Sequence, residues 1–312
     1  MKIAIIGAGA MGCLYAGMLE KAGEVTLYDV FLPTVDAVNR HGILIKEPDG
    51  KQNVHFVRAE VSGAGKAPAD LVIVFVKDTV SKQAIEQNRA LIGKNTQLLS
   101  LQNGMGNFDI LKEFADEQRI LLGTTKHNCV TLAPGKIFHS GSGVTNIGSP
   151  ASNAVAAKNI ANVFSSCNID AEFCADVKRL LWQKLFINMS INALTALFDA
   201  NIGFIADNKY AREFVSVLVD EAVAVAEYDS EKFDGETVKE DIISTAKMLA
   251  DGKASMCQDI EHKRHTEVDF INGAVVRLGE KYGVKTPYNK AVCALIHAKE
   301  EMQKSQTETL LK

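Results

Sequence analysis

The sequence predicts an α/β fold, in which a doubly wound parallel sheet is followed by an all-helical C-terminal domain. Before about Cys174, short β-branched runs alternate with polar, helix-compatible stretches, which is typical of successive βαβ units. From Val177 onward, apolar residues recur at three- and four-residue spacing and the strand-like runs disappear. At ~150 residues per domain, 312 residues also suggest about two domains. We therefore expect a first domain over residues 1–174 and a helical domain over residues 175–312.

The strands of the first half are predicted where aliphatic residues cluster. The first covers Lys2–Ile6 and the second covers Glu24–Tyr28, with a helix over Ala10–Ala22 between them. The run Leu71–Val76 is apolar throughout, as expected for a parallel strand that helices cover on both faces. The remaining predicted elements are two short strands and two hairpins: Leu98–Leu101, Ile120–Leu122, a hairpin around Pro48-Asp49-Gly50, and a hairpin across the glycine-rich stretch Gly141–Gly148.

The second half is predicted to be helical almost throughout. A break at Pro287 separates the last predicted helix from the others, because proline cannot continue a helix. The five predicted helices cover Leu180–Phe198, Tyr210–Tyr228, Val238–Leu249, Ser255–Tyr282 and Tyr288–Met302.

Composition excludes several classes of function. A net charge of −4 gives no bulk attraction to nucleic acid or to an anionic membrane. No apolar run approaches the ~20 residues that a membrane helix needs, and the N-terminus lacks the pattern of a signal peptide. The six cysteines have no C-x-x-C spacing and the seven histidines have no zinc-binding pattern, so we expect reduced thiols and no metal. The sequence thus predicts a cytoplasmic protein that acts on a small molecule.

A glycine-rich motif follows the first predicted strand and opens the first helix. It reads Gly7-Ala8-Gly9-Ala10-Met11-Gly12, which is G-x-G-x-x-G in the context that a dinucleotide-binding fold requires. In such a fold the first glycine permits the tight turn, the second lets the backbone approach the pyrophosphate, and the third allows close helix packing. The motif therefore predicts a Rossmann-type domain that binds a nicotinamide dinucleotide through these six residues.

The residue after the second strand bears on which dinucleotide is bound. Asp29 stands where a carboxylate accepts hydrogen bonds from the ribose hydroxyls of NAD and repels a 2′-phosphate. The next four residues include no arginine or lysine, which an NADP site would favour. The sequence therefore favours NAD(H), with NADP(H) as the alternative. A simpler interpretation is that Asp29 only caps the turn that follows it.

A line of polar residues crosses an otherwise apolar helix in the second half. Lys184, Asn188 and Asn192 are four residues apart and so lie on one helix face. A buried lysine is rare unless it is paired or functional, and desolvation makes it a better proton donor near neutral pH. We therefore predict that Lys184 is catalytic and that the two asparagines bind a polar ligand. The alternative is a rim on which Lys184 extends its ammonium to solvent.

Three further polar residues are candidates for the same site. Glu267 is predicted within a long helix and would hold the charge of a nearby lysine, although a surface role is the simpler interpretation. Asn103 follows a strand at the carboxyl edge of the sheet, where ligands bind in open α/β folds, although Asn-Gly is itself a turn pair. Ser255 opens the polar segment that precedes Glu267.

Taken together, these motifs resemble those of the ketopantoate reductase family. The resemblance covers nearly the whole chain in the same order, and it is carried by four segments: Lys2–Gly12, Leu101–Gly106, Trp182–Leu197 and Ser255–Gly273. It implies a Rossmann domain, a helical domain and an active site in the cleft between them. It also implies reduction of 2-dehydropantoate to (R)-pantoate by hydride transfer from a nicotinamide cofactor, a step toward pantothenate and coenzyme A.

The resemblance also implies roles for individual residues. Lys184 matches the lysine that donates a proton to the ketone oxygen, and Glu267 matches its acidic partner. Asn103 matches the asparagine between cofactor and substrate, so it is a candidate for binding both. The positions that match substrate-binding residues are Asn188, Asn192 and Ser255.

Three positions depart from the family's usual residues. Lys77, a cofactor-binding candidate, is kept, but Val80 stands in place of a glutamine and Gly252 in place of an asparagine. Asp29 replaces the basic residue that is frequent there. These differences bear on the substrate and on the cofactor preference, so a paralogue that reduces another 2-oxo acid is an alternative. Two further alternatives do not depend on these departures: a β-hydroxyacid dehydrogenase, whose K-x-x-x-N helix pattern Lys184 and Asn188 also satisfy, and an NAD-sensing protein without catalysis. Helical domains of this size often offer an interface, so a homodimer is also an expectation.

Overall fold

The structure is a computed structural model that describes residues 1–229 and 231–310, with side chains described up to residue 303. Contacts divide the chain into two compact units. Unit 1 comprises Met1–Gln102 and Asn107–Leu180, and unit 2 comprises Asn103–Gly106 and the chain from Leu181 onward. The predicted domain boundary after residue 174 stays a prediction. No helix in the described ranges is long and apolar enough to cross a membrane.

Unit 1 is built on an eight-stranded sheet, which confirms the predicted α/β class. The strand order is β12-β11-β8-β7-β6-β1-β2-β5, and all neighbours are parallel except the pair β8 and β11. The strands of this sheet are β1 (Lys2–Ile6), β2 (Glu24–Tyr28), β5 (Arg58–Glu60), β6 (Leu71–Val74), β7 (Gln97–Ser100), β8 (Ile120–Thr125), β11 (Thr145–Gly148) and β12 (Ala171–Phe173). The four side chains of β6 are fully buried, as its apolar sequence predicts.

Five helices belong to unit 1, and the first two lie next to the strands that form the candidate cofactor site. Helix α1 ends at Met18 and continues to Ala22 as a 3₁₀ turn, close to the predicted end. The helices are α1 (Ala10–Met18), α2 (Leu32–His41), α3 (Ser81–Gln87), α4 (Asn107–Lys112) and α5 (Ala154–Ser166).

A second, four-stranded sheet in unit 1 corrects one prediction. Its order is β4-β3-β10-β9, from strands β3 (Ile43–Lys46), β4 (Gln52–His55), β9 (Asn128–Ala133) and β10 (Lys136–Gly141). The hairpin around Pro48-Asp49-Gly50 is present as β3 and β4. The hairpin across Gly141–Gly148 is wrong, because β10 and β11 belong to different sheets. A Cβ on Gly143 would lie 2.5 Å from the Lys126 side chain, so this glycine serves close packing instead of a hairpin turn.

Unit 2 is helical, and its core forms around the helix that carries the polar stripe, which is the line of Lys184, Asn188 and Asn192. Trp182 and Phe186 are fully buried there, and the Trp182 indole donates to the Asp229 carboxylate at 3.0 Å. The Tyr282 hydroxyl donates to the other oxygen of Asp229 at 2.6 Å, so one carboxylate joins three helices. The helices are α6 (Val177–Phe198), α7 (Phe204–Asp207), α8 (Lys209–Tyr228), α9 (Gly235–Met248), α10 (Ser255–Glu261), α11 (Asn272–Tyr282) and α12 (Pro287–Leu310).

Candidate active site

Two glycines of the loop between β1 and α1 are required by close contacts within unit 1. Gly7 has φ +105°, and a Cβ there would lie 2.8 Å from the backbone nitrogen of Val76. A Cβ on Gly12 would overlap the carbonyl oxygen of Gly7, so only glycine lets α1 pack this closely on the loop. Gly9 differs, because nothing lies within 4 Å of its Cβ position. The space beside Gly9 is therefore open to a ligand that approaches the backbone closely.

The start of α1 has the chemistry of an anion site. Gly9 is the N-cap and gives no side-chain cap, while Ala10 and Met11 open a first turn without acidic residues. N–H groups in a first turn have no acceptor within the helix, and the helix dipole adds positive charge there. The Cys13 thiol donates to the Ala8 carbonyl at 3.3 Å, and burial raises its pKa to about 12, so it stays neutral. The loop therefore suits a pyrophosphate.

The carboxylate of Asp29 is fixed at the end of β2 by two backbone donors. The Ala8 N–H donates to Oδ2 at 2.6 Å, and the Phe31 N–H donates to Oδ1 at 2.8 Å. Asp29 thus caps the following turn and also ties β2 to the glycine loop. Each carboxylate oxygen has a second lone pair, which can accept a hydrogen bond from a ligand hydroxyl.

A groove of about 180 Å³ lies beside Asp29 in unit 1. Val80, one of the departures noted in the sequence, supplies part of an aliphatic wall there, and no lining residue is basic. A flat, weakly polar group such as a purine fits walls of this kind. The other lining residues are Ile6, Tyr28, Val30, Val61, Val76, Gln83, Ala84, Gln87 and Asn88.

Hydrogen bonds connect the segments that follow β6 and β7, next to Lys77. Lys77 is half-buried and occupies the N-cap position of the short 3₁₀ turn Asp78–Val80. The nearly buried Gln102 amide donates to the Val76 carbonyl at 2.6 Å and to the Ser81 hydroxyl at 2.7 Å. These bonds fix the backbone at the carboxyl edge of the sheet, where open α/β folds bind their ligands.

Helix α6 of unit 2 carries the predicted polar stripe. Lys184, Asn188 and Asn192 lie on one face, about 6 Å apart along the helix axis at each step. Asn192 is 7% exposed, whereas Lys184 and Asn188 are half-buried. Lys184 is therefore intermediate between the buried lysine that the sequence favours and the solvent-facing rim that was its alternative, because apolar neighbours such as Phe186 pack on other faces of α6.

The N-terminus of α10 meets the far end of this stripe. The Asn192 amide donates to the Ser255 hydroxyl at 3.4 Å, and Ser255 is exposed. Gly252 lies in the loop before α10, and its carbonyl accepts a hydrogen bond from the Ile202 N–H at 2.9 Å. Two residues predicted to bind substrate are therefore neighbours, although 63 positions separate them along the chain.

Glu267 lies in an irregular turn, so the single helix predicted over Ser255–Tyr282 is wrong. Helix α10 ends early, a 3₁₀ turn follows, and α11 is a separate helix. The charged run over positions 262–265 has no apolar side chain to bury. The break itself occurs at Lys263, which has φ +57°, and the Arg264 N–H returns to the Asp259 carbonyl at 2.8 Å.

This turn brings two predicted site residues together within unit 2. The Asn103 amide donates to Glu267 Oε2 at 3.4 Å. Asn272, at the start of α11, then connects the turn with the polar stripe: it is fully buried, and its amide donates to the Met189 carbonyl at 3.2 Å. Because Met189 follows Asn188, the bond fixes α6 at the middle of the stripe.

Ionisable side chains of helix α12 form hydrogen bonds with the turn that carries Glu267. Glu300 accepts the Thr266 N–H at 2.7 Å, and His297 bridges Glu300 and Asp269 at 3.2 and 3.0 Å. Burial alone would lower the pKa of His297, but the two carboxylates outweigh it and raise the pKa above 6.5. Burial alone would raise the pKa of Glu300, but hydrogen bonds from Thr266 and His297 lower it below 4.5.

These two pKa shifts determine the pH range over which the contacts of His297 and Glu300 stabilise the turn that carries Glu267. The contribution of His297 is complete below its unfolded pKa and is lost as the pH rises through its raised folded pKa. The contribution of Glu300 is present above its unfolded pKa and is lost as the pH falls through its lowered folded pKa.

The predicted residues fall into two sets, one in each unit. The cofactor candidates Gly7–Gly12, Asp29 and Lys77 lie in unit 1, whereas Asn103, a candidate for both cofactor and substrate, lies in unit 2 with the other substrate and catalytic candidates. In the described ranges, no group of three or more His, Cys, Asp or Glu side chains is placed to hold a metal ion. Sequence reasoning missed several residues that hold these groups in place, because nothing local marks their partners: Ser81, Gln102, Phe270, Arg277, His297 and Glu300.

Comparison with known proteins identifies relatives along nearly the whole chain. A protein-family model described as ketopantoate reductase PanE/ApbA matches residues 3–152, and the model of the C-terminal part of that family matches residues 176–300. The chain is 31% identical to 2-dehydropantoate 2-reductase of Streptococcus pyogenes over 303 residues, which are 96% of this chain and 98% of the relative. It is 32% identical to the enzyme of the same name from Lactococcus lactis over 314 residues, covering 98% and 100%.

A solved structure with the same fold carries a different name. The ternary structure of D-mandelate dehydrogenase with NADH and anilino(oxo)acetate superimposes with a TM-score of 0.91 at 31% identity. The match covers 97% of this chain and 99% of that one.

Proposed function

Because this chain belongs to the ketopantoate reductase family, we propose that it reduces a 2-oxo acid to a 2-hydroxy acid with a nicotinamide dinucleotide. The favoured substrate is 2-dehydropantoate, which gives (R)-pantoate for pantothenate and coenzyme A synthesis. The observation that carries the proposal is the polar stripe of unit 2: Lys184, Asn188 and Asn192 share one face of α6, and Ser255 meets its end.

The residues of unit 1 fit the dinucleotide. The N–H groups at the start of α1 would bind the pyrophosphate, and the open space beside Gly9 lets it approach. The fixed carboxylate of Asp29 would accept the ribose hydroxyls, and the aliphatic groove beside it would take the adenine. When bound, the nicotinamide supplies the hydride that becomes the hydrogen on C2 of the product.

Lys184 acts as the general acid in this proposal. As the hydride reaches C2, negative charge develops on the ketone oxygen, and the ammonium group both stabilises that charge and donates its proton. Partial burial among the apolar residues of α6 strengthens this interaction, because water screens it less than at an open surface.

The neighbouring polar groups orient the lysine and the substrate. The Glu267 carboxylate would be the acidic partner that orients the ammonium of Lys184, and the hydrogen bond from Asn103 fixes the direction of this carboxylate. Asn188, Asn192 and Ser255 offer amide and hydroxyl donors for the substrate carboxylate and hydroxyl. The site thus binds the acid end of the substrate and protonates the ketone.

We propose NADH as the preferred cofactor, because Asp29 is fixed and negatively charged. The ammonium of Lys66 lies 2.6 Å from the carboxylate of Glu60, which is on the neighbouring strand. This ion pair engages the lysine, which could otherwise bind a 2′-phosphate. A carboxylate about 4 Å from a phosphate costs roughly 1–4 kcal/mol, and each ~1.4 kcal/mol is tenfold. We therefore expect kcat/KM with NADH to exceed that with NADPH by about tenfold or more.

The charge-neutral variant Asp29→Asn tests this preference. It is expected to narrow the ratio of kcat/KM for NADH and NADPH, whereas Asp36→Asn, an exposed acid on α2, leaves the ratio unchanged. A wild-type preference for NADPH would contradict the assignment.

A spectrophotometric assay of NADH oxidation tests the reaction and its substrate. The panel is 2-dehydropantoate, phenylglyoxylate and short aliphatic 2-oxo acids, with 3-hydroxy acids assayed in the oxidative direction. The likeness to D-mandelate dehydrogenase supports phenylglyoxylate as the second candidate. We expect the highest kcat/KM for 2-dehydropantoate. Oxidation of a 3-hydroxy acid alone would indicate a β-hydroxyacid dehydrogenase, and NADH binding without any turnover would indicate a sensor.

A cytoplasmic location completes the proposal. All six cysteines are unbridged in the structure, as is usual in a reducing compartment. Burial raises the pKa of the Cys129 and Cys293 thiols to about 12, which keeps them protonated and unreactive.

A further inference from the structure

The tetrapeptide Asn103–Gly106 is attached to unit 2 by its backbone, although the residues on either side of it belong to unit 1. The Met105 N–H donates to the Phe270 carbonyl at 2.8 Å, and the Met105 carbonyl accepts from Arg277 Nη2 at 3.2 Å. Both backbone groups of Met105 are therefore bound to the segment that follows Glu267.

The two glycines of the tetrapeptide permit this attachment. Gly104 has φ +76°, and a Cβ there would overlap the carbonyl group of Phe270. Gly106 has φ +119°, and a Cβ there would lie 3.3 Å from Arg277 Nη2. A side chain at Gly104 would push the tetrapeptide away from Phe270, and a side chain at Gly106 would strain the backbone because of its positive φ.

Arg277 joins the tetrapeptide to the turn that carries Glu267. It is exposed on α11, and one guanidinium nitrogen donates to the Asp269 carbonyl while the other donates to the Met105 carbonyl. Its guanidinium carbon lies 5.4 Å from the centre of the Phe270 ring. A planar group with two forked donors makes these three contacts at once, which a lysine ammonium cannot do.

The contacts made by Arg277 continue to the reacting groups. The Phe270 and Ile271 N–H groups donate to the Glu267 carbonyl at 3.0 and 3.1 Å, which fixes the backbone of the turn. The Asn103 amide, at the start of the tetrapeptide, donates to Glu267 Oε2. The geometry points to Arg277 as a positioning residue, which sets Asn103 against Glu267 for reduction of the 2-oxo acid; this inference rests on the proposed function.

Substitution of Arg277 separates positioning from a general structural role. Arg277→Met keeps the aliphatic part of the side chain and removes the guanidinium group. Arg277→Lys keeps the positive charge but not the planar arrangement of donors. Because misplacement of a site group by about 1 Å can cost about 10²-fold, we expect both variants to lower kcat/KM for the 2-oxo acid by roughly 10–100-fold. The NADH Kd and the unfolding temperature stay near those of the wild type, since Arg277 is exposed. Lys281→Met, on the same helix, is the matched control and keeps full activity.

A double-mutant cycle tests whether Arg277 acts through Asn103. If it does, Arg277→Met has little further effect in an Asn103→Ala background, because the group that it positions is already absent. Equal losses from Arg277→Met in both backgrounds would overturn the inference. So would wild-type kcat/KM in Arg277→Met, or an activity loss that is matched by losses of stability and NADH affinity.

Amide hydrogen exchange gives a readout that does not depend on catalysis. We expect Arg277→Met to speed exchange at Met105, whose N–H is bound to Phe270, while Lys281→Met does not. Unchanged exchange at Met105 refutes the inference even if the enzyme is active. If the wild-type chain turns over no 2-oxo acid while Arg277→Met still speeds exchange at Met105, the proposed function and the positioning role are refuted, and only the attachment of the tetrapeptide stands.

Discussion

Replacing Lys184 by methionine is expected to lower kcat by about 10²–10⁴-fold, the usual contribution of a positioned general acid. This corresponds to roughly 3–5 kcal/mol of transition-state stabilisation. Methionine keeps the apolar stem on α6, so the variant should fold normally. The NADH Kd should not change, because Lys184 is not among the dinucleotide candidates, and all of those except Asn103 lie in unit 1. Steady-state assays with 2-dehydropantoate and NADH, beside a fluorescence titration of NADH, measure both quantities.

Lys178→Met is the matched control for this prediction. Lys178 is also half-buried, lies on α6 and undergoes the same chemical change, but it is not on the polar stripe. Its kcat should stay within about twofold of the wild type. A Lys184→Met enzyme with a similar kcat would show that another group donates the proton.

Gly12→Ala is expected to lower the unfolding midpoint of unit 1, whereas Gly9→Ala is expected to leave it unchanged. At Gly12 the new Cβ overlaps the Gly7 carbonyl, so α1 must shift away from the loop. Overpacking of this kind costs about 1–3 kcal/mol, which lowers the unfolding midpoint by roughly 2–10 °C. At Gly9 the Cβ meets no protein atom, so the midpoint should not change.

Both variants should bind NADH weakly, for different reasons. Gly12→Ala distorts the loop, whereas Gly9→Ala fills the space that the pyrophosphate needs, and we expect the NADH Kd to rise at least about tenfold in each. Gly235→Ala, where the Cβ position is also open, serves as the control and changes neither quantity. If Gly9→Ala binds NADH normally, the pyrophosphate does not lie on this loop.

Elements whose signal is local could be predicted from the sequence. The bounds of β1 and β2 agree with the prediction, and Gly7 and Gly12 have the tight geometry that the motif requires. The failures concern pairing between distant segments. The stretch Gly141–Gly148 leaves one sheet for another, and nothing in its own residues specifies which neighbours it pairs with. Likewise, the break at Lys263 falls within a charged run that stays exposed, and no proline or glycine marks it.

The candidate site divides in the same way. The spacing of Lys184, Asn188 and Asn192 places them on one face of any helix, so periodicity suffices. The hydrogen bond between Asn103 and Glu267 joins residues that are 164 positions apart, and no prediction from the sequence paired them. Arg277 gave no signal at all, because an exposed arginine on a helix is ordinary until the backbone carbonyls that it binds are known.

The attachment of Asn103–Gly106 to unit 2 also limits how this protein can be recombined with its relatives. A chimaera joined near residue 174 or 180 takes the tetrapeptide from one parent and its docking partners, Phe270 and Arg277, from the other. A fragment that starts at Leu181 lacks the tetrapeptide altogether and leaves the Phe270 carbonyl without its Met105 donor. Exchange of modules between family members therefore needs three crossover points instead of one, with the tetrapeptide inherited together with the helical part.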